Sequence, residues 1–166
     1  MERLTIQQHS EYRRHCAWME RAIALAHEAG QAGDVPVGAL VVNAAGNLIA
    51  TGENRRERDR DPTAHAEVLA LRAAGQILNR WDLSDCTLYV TLEPCPMCAG
   101  AIVLARIQRL VYGANDPKAG MIRSVGNVPD SPASNHRLEV LPGILESACR
   151  DQLQQWFQQR RSTATC

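Results

Sequence analysis

Aromatic side chains make up only 4% of this chain, and Phe157 is its one phenylalanine. A core for 166 residues must therefore be built from aliphatics and alanine. Lysine is nearly missing too. Lys118 is the only one, so arginine carries the positive charge; arginine suits planar contacts with phosphate, although genome composition can produce the same bias. There is no net charge at neutral pH, which argues against a general nucleic-acid coat and leaves room for a local basic site. No apolar run approaches the length of a membrane helix, and Glu2, Arg3, Glu11, Arg13 and Arg14 interrupt any export signal. The expected setting is cytoplasmic, where a C-x-x-C pair signals metal or redox chemistry before a disulfide. Cys16, Cys86 and Cys149 are then expected as small core hydrophobes, and Cys166 as an inert free thiol.

The length suits a single domain spanning 1–166, with frayed tails at about 1–9 and 162–166. Apolar residues at Tyr12, Cys16, Met19, Ile23 and Ala26 recur at helical spacing and stop at Gly30. Val35 to Val42 and Asn47 to Thr51 read as two strands joined by a turn at Ala44-Ala45-Gly46. Gly52 to Asp61 reads as a polar loop. Pro62 favours a helix start, with Asp61 or Thr63 as cap, and the helix runs to about Leu78. Thr87 to Thr91 and Arg109 to Tyr112 are strands flanking a helix opened by Pro96, a crossover that implies parallel pairing. Gly113 to Asn135 is a long loop, which in a compact domain tends to be functional. A short strand at Leu138 to Leu141 and a helix from about Ile144 to Arg160 complete the chain. The pattern predicts an α/β architecture, a mixed five-stranded sheet covered by helices.

The chemistry-bearing residues fall in two places. His65 and Glu67 lie near one expected helix start, and Cys95 and Cys98 at another, where helix N–H groups favour thiolate over thiol. One imidazole and two thiolates are three zinc ligands, which leave the fourth position to water in a catalytic site. Two thiolates cancel the charge of the ion and weaken its pull on that water. A neighbouring base therefore helps, and Glu67 is the candidate, as a proton carrier and not as a ligand. Taken alone, C-x-x-C is more often a structural zinc site. Such a site needs a fourth protein ligand, for which only His136 and Cys86 offer themselves. A thioredoxin-like redox pair would need no His-x-Glu.

The order His65-x-Glu67 … Pro94-Cys95-x-x-Cys98 matches the signature of zinc nucleobase deaminases. Further segments extend the match: Val35-Pro36-Val37-Gly38-Ala39, Asn54-Arg55, Asp61 to Glu67, Thr91 to Ile102, Gly113 to Gly120, Asn135-His136-Arg137 and Trp156-Phe157. On these the chain resembles the bacterial tRNA-specific adenosine deaminases, over about Met19 to Arg161. The resemblance implies a three-layer α-β-α cytidine deaminase-like fold and one Zn2+ per subunit of a homodimer. The implied reaction is hydrolysis of adenosine to inosine at wobble position 34 of tRNA, expected to be tRNA-Arg with anticodon ACG. It also implies His65, Cys95 and Cys98 as metal ligands and Glu67 as the catalytic acid and base. Asn54 would hydrogen-bond the flipped base and Val37 would line its pocket. Asp116 and Lys118 would face the anticodon stem-loop, and Phe157, in the helix end from Trp156 to Arg160, would meet flanking nucleotides. Core motifs of this kind are shared with free-base guanine and cytosine deaminases, the alternative enzymes; a zinc-stabilised tRNA-binding subunit is the non-enzymatic one. Met121-Ile122-Arg123-Ser124 departs from the smaller residues usual in the family after Lys118, and the turn at Ala44-Ala45-Gly46 is slightly long.

Overall fold

The computed structural model describes residues 6–163. Of the expected frayed tails, 6–9 belong to the first helix and 162–163 to the last, while 1–5 and 164–166, with Cys166, lie outside the described residues. In chain order the elements are α1 (Ile6–Gln31), β1 (Gly38–Asn43), β2 (Leu48–Glu53), α2 (Arg56–Asp59), α3 (Ala66–Leu78), β3 (Cys86–Leu92), α4 (Pro96–Leu104), β4 (Arg109–Ala114), β5 (Glu139–Pro142) and α5 (Glu146–Thr163).

The five strands form one sheet in the order β2-β1-β3-β4-β5. The first hairpin turns through Gly46, whose φ is +81°, and its strands pair antiparallel. β1 is also antiparallel to β3, whereas β3, β4 and β5 run parallel, as the intervening helix required. Alternation along the strands sends Ala39 and Val41 to one face, Leu40 and Val42 to the other. The first face packs against Ala66, Ala70 and Ala74 of α3 and Ala99 and Ile102 of α4. The second receives Met19 and Ala22 of α1 and Cys149 of α5. Alanine on the helices compensates for the missing aromatics, because small side chains let backbones approach the sheet closely. Gly38 and Gly52 extend this economy: a Cβ on Gly38 would stand 2.1 Å from the Ala22 carbonyl oxygen, and one on Gly52 2.2 Å from that of Ala66. Of the expected core cysteines, Cys86 and Cys149 are buried and Cys16 is partly so.

Two expectations shift. The third helix begins at Ala66, not near Pro62, because the Asp61 carboxylate accepts both the Thr63 N–H and hydroxyl at 2.7 Å. That local turn holds the chain out of helical geometry for one further turn. The second shift is α2, a single helical turn inside the segment read as polar loop. The fully buried Asp34 carboxylate fixes it by accepting from the Glu57 N–H at 2.6 Å and the Arg58 Nε at 2.7 Å.

Candidate active site

Both helices that carry the motif residues start on a ligand candidate. His65 is the N-cap of α3 and Cys95 the N-cap of α4, each with extended backbone (ψ 149° and 175°) and neither side chain making a capping hydrogen bond. Cap positions usually hold Ser, Thr, Asp or Asn, which bond the exposed N–H groups. Here the side chains turn toward each other instead. Pro96 at the first position of α4 tolerates the missing donor, and Cys98 follows one turn later.

His65 Nδ1 lies 3.6 Å from Cys95 Sγ and 3.5 Å from Cys98 Sγ. Tetrahedral zinc, with bonds of about 2.3 Å to sulfur and about 2.05 Å to nitrogen, separates such ligands by about 3.6 Å. All three ligand atoms lie within 4.8 Å of one another, and among the described residues this is the one cluster able to hold a metal. The donor set and its spacing fit zinc. Among the described residues no fourth protein ligand completes the group: the His136 ring bonds the Ile107 carbonyl oxygen at 2.8 Å, and Cys86 is buried against Asp85. The Cys98 thiol is hydrogen-bonded to the Cys95 sulfur. The bond from Cys98, helped by His65, lowers the Cys95 thiol to about 4, while the same bond and burial push Cys98 upward. The hydrogen bond with Cys95 raises His65, with burial and then Arg56 acting against it.

Glu67, in the first turn of α3, is 4% exposed and lies outside the ligand cluster. Burial raises its carboxyl to about 7, partly offset by a backbone N–H and by His65, with the Cys95 charge adding to the rise. Near neutral pH both its forms are populated, as a group that must alternately take and give a proton requires.

A cavity of about 200 Å³ opens onto this cluster. His65, Glu67 and Cys95 form one end; Val35, Val37 and Asn54 another wall; Asp116 and Ala119 a third. The Asn54 Nδ2 donates to the Val35 carbonyl oxygen at 3.1 Å, and since a carbonyl can only accept, the side-chain orientation is fixed. Its Oδ1 is buried and has no hydrogen-bond partner among the described residues, an acceptor open to a donor on an incoming molecule. Val37, Asn54 and Asp116 are thus brought together with the metal cluster. Lys118 and Phe157 are not among the residues lining this cavity. Lys118 is exposed in the turn beyond Asp116, and Phe157 stands edge-on to Trp156 at 5.1 Å. Trp156 donates to the Gly30 carbonyl oxygen at 3.1 Å, which docks this end of α5 on the segment leading to Val35.

Glu93 was not singled out in the sequence, yet it organises the cavity's third wall. It is 2% exposed. Its Oε1 accepts the N–H groups of Ile122 (3.2 Å), Arg123 (2.7 Å) and Ser124 (2.9 Å), and its Oε2 accepts the Asp116 N–H at 3.0 Å and the Ser124 hydroxyl. Burial alone would raise its pKa, but these donors outweigh it and hold the carboxylate below its usual range. Gly120 packs so closely that a Cβ there would reach within 2.3 Å of the carboxylate. The only signal in the sequence was an acid two residues before Cys95, with no partner in view. Ile122, part of the departure from the family's small residues, is fully buried beneath this loop.

Known proteins resemble this chain over most of its length. The MafB19-like deaminase model matches residues 13–161. The tRNA-specific adenosine deaminase of Haemophilus influenzae is 48% identical, over 86% of this chain and 83% of that protein. Its Bacillus subtilis counterpart is 45% identical, over 87% and 89%. A structure from a study of A-to-I editing by tRNA:A34 deaminases at the wobble position superposes with a TM-score of 0.80, at 43% identity, covering 82% of this chain and 98% of that one. A guanine deaminase from Nitrosomonas europaea superposes with a TM-score of 0.72 at 29% identity, covering 85% and 83%.

Proposed function

This chain belongs to the deaminase family that contains the tRNA-specific adenosine deaminases, and on that premise we propose that it converts adenosine to inosine at the wobble position of tRNA. The substrate in this reading is the anticodon stem-loop of tRNA-Arg with anticodon ACG, whose unpaired loop presents a base without duplex opening. The observation that carries it is a buried carboxylate, Glu67, beside a three-ligand group that has no fourth protein ligand among the described residues.

His65, Cys95 and Cys98 would hold one Zn2+, which as a Lewis acid would make a water more acidic. Glu67 takes a proton from the attacking water and places it on N1 of the purine as the oxygen bonds to C6. It then moves the remaining hydroxyl proton to the 6-amino nitrogen. The C6–N bond breaks, a C6 carbonyl forms and ammonia leaves. The balance is one water consumed and one ammonia released, and Glu67 ends as it began. Asn54 Oδ1 accepts from the bound nucleotide, Val37 and Asp116 wall the base, and Lys118 and Phe157 meet the RNA outside the cavity.

A cytoplasmic homodimer is part of the same proposal. Trp81, just after α3, and Leu104 of α4 are 67% and 69% exposed and line one shallow groove with Val68, Leu71 and Ala101. A patch of that kind on a stable domain favours a second copy as its cover. No helix among the described residues is long and apolar enough to cross a membrane.

Separate incubations with ACG-anticodon tRNA, guanine and cytosine, read as inosine and ammonia, test the reading. Inosine in the tRNA is the expected result. Turnover of a free base with unmodified tRNA would replace it with a free-base deaminase.

A further inference from the structure

Four arginines stand between Asn54 and Asp61, and the structure gives them different tasks. Arg55 makes a two-pronged contact with Asp59 at 2.9 and 3.0 Å. Arg58 is held by the buried Asp34 at 2.7 Å, by the Asn54 carbonyl oxygen at 3.0 Å and by Glu53 at 3.0 Å. Both shape the loop, and Arg58 holds the Asn54 backbone in place. Arg60 takes a left-handed backbone (φ 52°) at the end of α2 and does not line the cavity.

Arg56 differs from all three. It lines the cavity shared by His65, Glu67 and Asn54, and among the described residues it is the only arginine or lysine that does. The other charged side chains on those walls are the acids Glu67, Glu93 and Asp116. Its one ion pair among the described residues is with the adjacent Glu57 at 3.1 Å, both side chains being about half exposed (48% and 63%). An exposed pair of that kind is worth little and is readily exchanged for a better partner. A nucleotide entering base-first leaves its phosphates on the solvent side, where the half-exposed Arg56 side chain also lies.

The geometry points to Arg56 as a substrate-contacting residue that grips a phosphodiester oxygen of the nucleotide whose base fills the cavity. This rests on the reading of the site as a nucleic-acid deaminase. A guanidinium suits the task because its planar donors match two phosphate oxygens at once. The contact adds affinity and orients the target nucleotide without reading its base.

The test compares zinc-loaded wild type with Arg56→Ala, Arg56→Lys and Arg60→Ala in steady-state deamination of the tRNA and in salt titrations of tRNA binding. For Arg56→Ala we expect KM about tenfold higher, the value of one charge-assisted contact, with kcat within about twofold. Its salt-dependence slope falls by about 0.7, as for one phosphate on a single strand. Arg56→Lys recovers most of the lost affinity, and Arg60→Ala changes KM less than Arg56→Ala. Unchanged KM and slope in Arg56→Ala, no recovery with lysine, or an equal effect of Arg60→Ala would each overturn the proposal. Absence of inosine with the wild-type protein would instead overturn the reading beneath it.

Discussion

Replacing Glu93 by glutamine removes one charge and one acceptor from a carboxylate that five donors surround. Oε1 of the variant still accepts from Ile122, Arg123 and Ser124. The new amide nitrogen, however, faces the Asp116 N–H, donor against donor. One hydrogen bond to a charged group is lost, worth about 1.5–3 kcal/mol, and a buried donor is left unsatisfied at a further 1–3 kcal/mol or so. Allowing for the lower cost of burying a neutral amide, the net loss is about 3 kcal/mol. For a chain of this size that lowers Tm by about 6–12 °C. The pH dependence has a definite sign. The folded-state pKa of Glu93 is depressed, so its contribution is present above the ordinary glutamate pKa of about 4.3 and is lost as pH falls below it. Melts of wild type and Glu93→Gln between about pH 3 and 7 should therefore converge toward the acid end. A variant melting within about 2 °C of wild type at pH 7 would refute the assignment of Glu93 as the anchor of the Asp116–Ser124 loop.

Other expectations concern the metal and proton chemistry. Glu67→Gln should keep its metal and lose a factor of about 10²–10⁴ in kcat, the usual worth of a general acid–base group; metal lost together with activity would make the carboxylate a ligand. Cys98→Ala should lose both zinc and activity, and a chelator should lower the Tm of wild type but not of that variant. His15, buried against the Tyr89 hydroxyl at 2.8 Å, has its pKa lowered by burial first and by Arg109 second. The unfolded chain therefore binds its proton more readily, and stability declines as pH falls through about 6.5. His15→Gln should flatten that part of the stability profile, and an unchanged slope would remove His15 as its source.

Much of the architecture was readable because it depends on periodicity. The apolar run read as a strand from Val35 to Val42, which the structure begins only at Gly38, the crossover between the strands at Thr87 and Arg109, and the helix opened by Pro96 reappear in the sheet order and directions. The grouping of His65, Cys95 and Cys98 was readable because these residue types are rare in combination. What sequence reasoning missed depends on partners remote in the chain. The turn of helix at Arg56–Asp59 has no apolar periodicity and is fixed by Asp34, 23 positions before Glu57. Glu93 bonds backbone N–H groups 23 to 31 positions later, and backbone donors carry no mark in a sequence. The start of α3 was misplaced because Asp61 and Thr63, good helix caps, satisfied each other first. Even the division among the arginines from Arg55 to Arg60 depended on which acids the fold brought beside each.

The most direct measurement is the nucleoside content of ACG-anticodon tRNA after incubation with metal-stripped protein reconstituted to one zinc per chain, in wild-type and Glu67→Gln forms. The account predicts inosine at the wobble adenosine with the first and almost none with the second, both holding zinc. Unmodified tRNA from zinc-loaded wild type, or equal inosine from both forms, would contradict it.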